Sequence, residues 1–405
     1  MSIFLKNRGA LPILMLNLFL VFTGIGLIIP IMPKFMNDLG ITGGLIGLLV
    51  ATFSLTQFIF SPLAGRLSDS LGRKRMIVSG MVLFALSEGL FGLASSPLLL
   101  FVARMLGGVS AAMIMPAVMA YAADITTDEE RAAGMGYINA SITTGFIIGP
   151  GIGGYIADFG IRVPFYAAGV AGLAAALITL LILRESRRAP AAASTAAASG
   201  EPGPQETGGL LSQLRQSVRE PYFISLIVVF VMSFGLANFE TVFGLFVDHK
   251  FGFDPQDIAF IITFGSIAGA VVQMTAFSWI LNRFGEKQVI TVCLLFAGIF
   301  ILLTLLVSAF WMIFAVTFIV FLAIDIMRPA VGTQMSRLAR DQQGYVAGLN
   351  SAFTSLGNIA GPIVAGYLFD FNLNLPYVLS GLVLLGCCVL SLSMRTGRDK
   401  TAASS

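Results

Sequence analysis

"GYINASITTGFIIGPGIGGYIADFGIRVPF" runs from Gly136 to Phe165, and "GLNSAFTSLGNIAGPIVAGYLFDFNLNLPY" runs from Gly348 to Tyr377. Displaced by 212 residues, Gly136, Gly145, Gly149 and Pro150 fall on Gly348, Gly357, Gly361 and Pro362. Further along, Gly154, Tyr155, Asp158 and Pro164 fall on Gly366, Tyr367, Asp370 and Pro376. A gapless match over thirty residues marks an internal duplication. "GRLSDSLGRKR" (65–75) has a weaker partner in "SWILNRFGEKQ" (278–288), with Gly72 on Gly285. The chain therefore reads as one plan used twice.

Both copies are oily. Of the 405 residues 57% are hydrophobic and only 11% charged, with a mean hydropathy of +0.90, whereas soluble domains carry about 25% charged residues. Apolar runs near 11–33, 43–64, 76–94, 97–121, 133–156, 163–183, 221–247, 256–280, 288–307, 309–335, 344–368 and 374–394 make twelve spans. Each is long enough for a hydrocarbon core of about 30 Å. The runs are continuous and do not alternate, which disfavours a transmembrane barrel. The expected fold class is an all-α membrane protein. "MSIFLKNRG" leads into the first run with no small-residue cleavage site, so that run reads as a span and not as a removed signal.

Basic residues set the expected orientation. Lys6 and Arg8 precede span 1; Arg66, Arg73, Lys74 and Arg75 follow span 2; Arg131 follows span 4. Arg184, Arg187, Arg188, Arg215 and Arg219 lie between spans 6 and 7, Arg283 and Lys287 after span 8, Arg337 and Arg340 after span 10, and Arg395, Arg398 and Lys400 at the end. Nineteen of 24 basic residues thus share one side, against Lys34, Arg162 and Lys250 on the other. By the positive-inside rule both termini and the central loop are cytoplasmic. The net charge of +3 follows from this topology and gives no reason to expect nucleic acid as a partner.

"RRAPAAASTAAASGEPGPQETGG" (187–209) is small, polar and broken by Pro and Gly, the composition of a flexible linker. It divides the chain into an N-terminal six-helix bundle (1–183), a cytoplasmic linker (184–220), a C-terminal six-helix bundle (221–394) and a cytoplasmic tail (395–405). Two pseudo-symmetric bundles suit a transporter that rocks one half against the other around a midplane site. A receptor or scaffold would not need that symmetry. Cys293, Cys387 and Cys388 lie in spans and imply neither a disulfide nor a metal; His249 reads as a loop residue beyond span 7.

Charges inside membrane spans are costly and are usually kept for a task. Glu88, Arg104, Glu240, Asp325 and Arg328 are of this kind. In "AIDIMRPA" (323–330) Asp325 and Arg328 stand three positions apart and share a helix face. Glu240, in "GLANFETVFGLF", has no basic neighbour on its own helix, so a proton and a cationic solute would compete for it. Glu88 lies towards the outer end of span 3 and ranks below these as a proton carrier.

The motifs resemble those of the major facilitator superfamily. Gly65, Asp69, Gly72, Arg73 and Lys74 fill its loop 2–3 signature, and Arg104 and Gly108 its span-4 motif. Gly136, Gly145, Gly149, Pro150, Gly153 and Gly154 fit its span-5 antiporter signature completely. Within the superfamily the chain is most similar to the bacterial drug:proton antiporter branch (DHA1), particularly the NorA and Bmr type of multidrug exporter. In that branch span 7 carries a glutamate and span 10 an aspartate with an arginine three residues on, which Glu240, Asp325 and Arg328 match.

The resemblance implies a major facilitator fold of twelve transmembrane helices in two pseudo-symmetric six-helix bundles. It implies export of lipophilic or cationic compounds against protons, in the bacterial cytoplasmic membrane, by a monomer with no cofactor. Glu240, Asp325 and Arg328 would couple the proton. Phe22, Phe53, Gln57, Arg104, Ile142, Phe146, Phe321 and Asn358 would line the drug cavity. Loop 2–3 has two readings: a positive-inside anchor explains Arg73, Lys74 and Arg75, while a latch closing the cytoplasmic side in the outward-open state also explains Asp69. Span 5 reads as close packing and as a permeability seal, which are compatible. Sugar uptake fits poorly with so much phenylalanine, and the lack of a G-x-x-x-x-G-K-S/T loop argues against ATP as the energy source. The second function to weigh is export of one antibiotic or metabolite, tetracycline-like.

Overall fold

The computed structural model describes residues 9–186, 222–339 and 343–392. The first half folds as α1 (Ala10–Ile28), α2 (Gly43–Leu71), α3 (Arg73–Leu93), α4 (Pro97–Ile125), α5 (Asp128–Ile156) and α6 (Val163–Ile182). The second folds as α7 (Phe223–Phe251), α8 (Pro255–Thr275), α9 (Glu286–Leu303), α10 (Phe310–Ala339), α11 (Gln343–Phe371) and α12 (Leu375–Ser391). Eleven segments among the described residues are long and apolar enough to cross a membrane, counting Ala10–Asp38 as one. The twelfth, α12, is an apolar helix of 17 residues. Most of the 184–220 linker and the whole 395–405 tail lie outside the described residues.

The expected spans match these helices, with local differences that have physical causes. Span 8 is interrupted: α8 stops at Thr275 and a second helix, Phe277–Phe284, follows. The loop position expected for His249 is corrected, because α7 runs on to Phe251 and holds His249 and Lys250 in its last turn. Basic side chains are favoured at that end by the helix dipole. Lys250 is also satisfied there, its Nζ donating to Leu305 O at 2.9 Å and lying 4.8 Å from the Phe246 ring centroid. The helix then stops at Gly252, whose φ of 70° suits a left-handed cap.

The duplication is visible in the packing. In the first half α1 packs on α5 and α6, α3 on α4 and α6, and α2 on α4; adding six to each number gives the principal contacts of the second half. The glycine motif explains the α1–α5 seam. A Cβ on Gly145 would lie 2.8 Å from Phe19 O, one on Gly149 2.6 Å from Thr23 O, and one on Gly153 would meet Leu27 O. Gly357 and Gly361 repeat this on α7, facing Phe230 O and Phe234 O. Small residues let membrane helices approach backbone to backbone where lipid tails would otherwise fill the gap. Buried polar pairs tie the outer helices in: Asn17 to Thr179 at 2.7 Å between α1 and α6, and Ser380 to Asn238 at 2.8 Å between α12 and α7.

The halves meet through α2 with α11 and α5 with α8, and they do so at the end away from the linker, here called the distal end. A Cβ on Gly47 would strike Pro362 O, one on Gly366 would strike Gly43 O, and one on Gly154 would lie 2.6 Å from Ala259 Cβ. At the linker end Gly65, Gly136 and Gly348 have open space around them. The halves therefore touch at the distal end, and among the described residues no such close approach is found at these linker-end glycines.

Loop 2–3 is engaged within its own half in this state. Gly72 turns the chain at φ 102°. Arg73 pairs with Asp69 and with Asp124 at the end of α4 (3.4 Å), and the Lys74 amide donates to Glu185 Oε1 at 3.0 Å. At the equivalent place in the second half Glu286 pairs with Arg337, the same α–α link with its charges exchanged.

Candidate functional site

Glu240 stands midway along α7 and is exposed in the cleft between the halves. Beside it lies a cavity of about 30 Å³, lined by Met32, Pro33 and Ile46 from the first half and by Phe243, Gly244 and Ile258 from the second. That is room for about one water. Pro33 stands in the first turn of a short helix, Met32–Asp38, that follows α1 across a 3₁₀ turn at Ile29–Ile31, and a Cβ on Gly244 would lie 2.5 Å from Pro33 Cγ. Glu240 thus borders both the open cleft and the closed distal contact.

Asp325 and Arg328 on α10 lie within electrostatic reach of Glu240. No ion pair within 4.0 Å joins Asp325 to Arg328 among the described residues. The Asp325 carboxylate instead fills the space over Gly269 of α8, where an added Cβ would collide with Asp325 Oδ2 and lie 2.8 Å from its Cγ. One turn earlier Phe321 covers Gly265 in the same way and meets the Phe239 ring at 6.0 Å. Pro329 follows Arg328 and has no N–H to give the carbonyl four residues back, which is that of Asp325. Pro150 and Pro362 do the same to Phe146 and Asn358. Three candidate residues therefore carry backbone carbonyls released from the helical ladder.

In the first half the rings of Phe22 and Phe146 stand 4.9 Å apart between α1 and α5, with Ile142 one turn earlier on α5. Phe53 lies in the α2–α4 seam, 3.3 Å from where a Gly107 Cβ would be, with Gln57 a turn on. Arg104 sits away from these, its guanidinium 4.6 Å from the Phe91 ring centroid and its Nη2 3.9 Å from Met32 Sδ. Its electrostatic partner is Glu88, which is 6% exposed, and among the described residues Arg104 Nε and Glu88 Oε2 are both buried without hydrogen-bond partners. The structure joins Glu240, Asp325 and Arg328 into one group and Phe22 with Phe146 into another. Sequence reasoning missed Gly269, Met32 and Phe91, which lie against Asp325, Glu240 and Arg104, and Gly265, which faces Phe321. A glycine carries no chemistry of its own, so only the facing side chain reveals its part.

Gly269→Ala tests the seat of Asp325. The added methyl must push the carboxylate aside, and a short side chain can rotate away without unfolding the bundle. Transport across the membrane is expected to fall several-fold at unchanged expression and melting temperature; unchanged transport would show that Asp325 need not occupy this seat.

A twofold-repeated bundle of membrane-length helices, closed at one end around a group of charges, has the architecture of a membrane transporter. A profile of the Major Facilitator Superfamily matches residues 14–246 and 225–404, and the chain belongs to that superfamily. It is 46% identical over 398 residues, 98% of each chain, to "Multidrug resistance protein 2" of Bacillus subtilis (strain 168). It is 38% identical over 379 residues, 93% of this chain and 95% of the relative, to "Quinolone resistance protein NorA" of Staphylococcus aureus. The fold also matches a bacterial homologue of the human lysosomal transporter Spinster, crystallised inward-facing and occupied, at TM-score 0.71 and 18% identity, covering 95% of this chain and 94% of that one. The nucleoside transporter NupG matches at TM-score 0.73 and 16% identity, covering 95% and 98%. The protein is a multi-pass membrane protein.

Proposed function

We propose that this protein is a proton-coupled antiporter that exports lipophilic, often cationic, compounds from the bacterial cytoplasm by alternating access. The observation that carries the reading is the grouping of Glu240, Asp325 and Arg328 in the second half, beside the buried Phe239 and Phe321 rings, with the Phe22–Phe146 ring pair in the first half. Aromatic faces and a carboxylate attract organic cations with little demand on shape. The same carboxylate can take a proton instead, so one flux can drive the other with no cofactor. The names of the two relatives, drug-resistance proteins, support the substrate class. One copy of the chain carries the whole group, which supports a monomer.

Purified protein in liposomes, given a pH gradient and a panel of cationic dyes, nucleosides and sugars, tests this. Uphill movement of several unrelated cations is the expected result. Movement of a single compound would establish the narrow exporter instead, and sugar movement without dyes would overturn both.

The charge distribution supports cytoplasmic termini in the cytoplasmic membrane, which makes the linker end the inner one and this conformation inward-facing. Cysteines introduced at Gly9 and Ser404 should resist a membrane-impermeant maleimide in intact cells and react after permeabilisation. Labelling of either from outside would reverse the orientation.

A further inference from the structure

The first N–H groups of a helix have no partner within it and must find one elsewhere. At the start of α2 two of them find it in the other half. Asp370, at the end of α11, accepts from the Gly43 amide with Oδ1 at 2.6 Å and from the Gly44 amide with Oδ2 at 2.8 Å. The next amide, Leu45, reaches only the Thr42 hydroxyl, at 3.5 Å. Glycine at both positions is what admits the carboxylate: a Cβ on either residue would lie 2.9 Å from an Asp370 oxygen.

The duplication supplies a second contact of the same kind. Asp158 is the repeat counterpart of Asp370, and its Oδ2 accepts from Gln256 Nε2 at 2.6 Å, at the start of α8. Here the carboxylate meets a side-chain amide because the helix end is already capped. Asp254 accepts from the Asp257 amide at 2.8 Å, and Asp257 returns the bond to the Asp254 amide at 3.3 Å. Each half thus reaches across the distal end and clasps the first turn of a helix in the other.

We propose that Asp370 and Asp158 are positioning residues that help hold the distal end of this transporter shut, beside the Asn37–Asp248 hydrogen bond of 2.7 Å, Asp370 by capping α2 and Asp158 by gripping Gln256. A carboxylate at a helix N-terminus gains from the helix dipole as well as from its hydrogen bonds. Separating the halves distally removes both clasps at once and leaves the Gly43 and Gly44 amides to water. The two clasps are unequal. Asp370 holds two otherwise unpartnered backbone donors, while Asp158 holds one side chain whose helix stays capped without it. Asp370 therefore carries the larger share of the closure. This inference rests on alternating access and not on which solute is moved.

The test reads conformation and needs no substrate. In a full-length protein with Cys293, Cys387 and Cys388 replaced by serine, one reporter cysteine replaces buried Ile46 at the distal contact. A second, in a separate variant, replaces open Gly65 at the linker end. Asp370→Ala is expected to raise maleimide labelling of the distal reporter about fivefold, the change in an equilibrium constant that follows loss of one helix cap, and to lower labelling of the linker-end reporter. Asp158→Ala and Gln256→Ala should each give a smaller change, and the two together no more than either alone. Asp370→Asn, which keeps the shape and offers one acceptor, should fall between wild type and alanine if the alanine variant folds poorly. Labelling that rises at both ends would mean general loosening and would overturn the proposal, as would unchanged labelling at both.

Discussion

Glu240→Gln is expected to abolish uphill export of a cation while leaving a measurable part of its binding. The glutamine keeps the volume and hydrogen-bonding capacity of the protonated acid but can neither release a proton nor carry charge. A monocation would bind up to roughly fivefold more weakly, the scale of one partly solvated charge contact, because the rings still contribute about 0.5–1 kcal/mol each through their faces. If proton and cation compete for one carboxylate, as the proposed coupling requires, cation binding should strengthen as pH rises through the titration of that carboxyl. The glutamine variant should lose that slope and should release no proton on cation addition. The location makes the group fit for the task, since Glu240 faces the open cleft and also borders the 30 Å³ cavity beneath the distal contact. Asp325→Asn provides the contrast: it removes one of the two carboxylates within electrostatic reach of Arg328, so loss of transport there should come with some loss of stability. If Glu240→Gln still concentrates ethidium and releases protons normally, coupling passes to Asp325 and Arg328, or to the buried pair of Glu88 and Arg104.

Gly149→Leu should cost more structurally and almost as much functionally. The Gly149 Cα faces the α1 backbone, with Thr23 O 2.6 Å and the Gly26 Cα 2.8 Å from the added Cβ. Neither can yield as a flexible side chain would, so α5 must move away from α1. Forcing bulk into such a seam destabilises by about 1–3 kcal/mol, which a bundle of this size survives. The displaced segment carries Phe146, whose ring rests 4.9 Å from that of Phe22, and it leads to the α5–α8 contact at Gly154. The variant should therefore reach the membrane, melt at a lower temperature and lose most of its dye efflux per molecule at the surface. Normal efflux at normal expression would confine the α1–α5 seam to packing alone.

The sequence by itself determined the class of this protein. Long apolar runs can satisfy their backbone polar groups in lipid only as helices, and the 212-residue repeat from Gly136 and Gly348 required two alike halves. It also located the charges that a membrane tolerates only for a purpose, because Glu240, Asp325 and Arg328 stand out against uncharged neighbours. Tertiary structure decided what those charges face. Asp325 and Arg328 are close in sequence, yet it is Gly269 on another helix that seats the carboxylate. Arg104 has its electrostatic partner in Glu88 and its cover in Phe91, neither of which periodicity could name. The span-5 glycines announce close packing, but only the assembled bundle separates Gly145, Gly149 and Gly153, which face α1, from Gly154, which faces α8. The two aspartates of the repeat have ordinary side chains at ordinary loop-side positions. They become clasps only when folding brings Asp370 to the amides of Gly43 and Gly44, more than three hundred residues away along the chain, because those two amides have no acceptor within their helix and the Thr42 hydroxyl beside them takes the Leu45 amide instead.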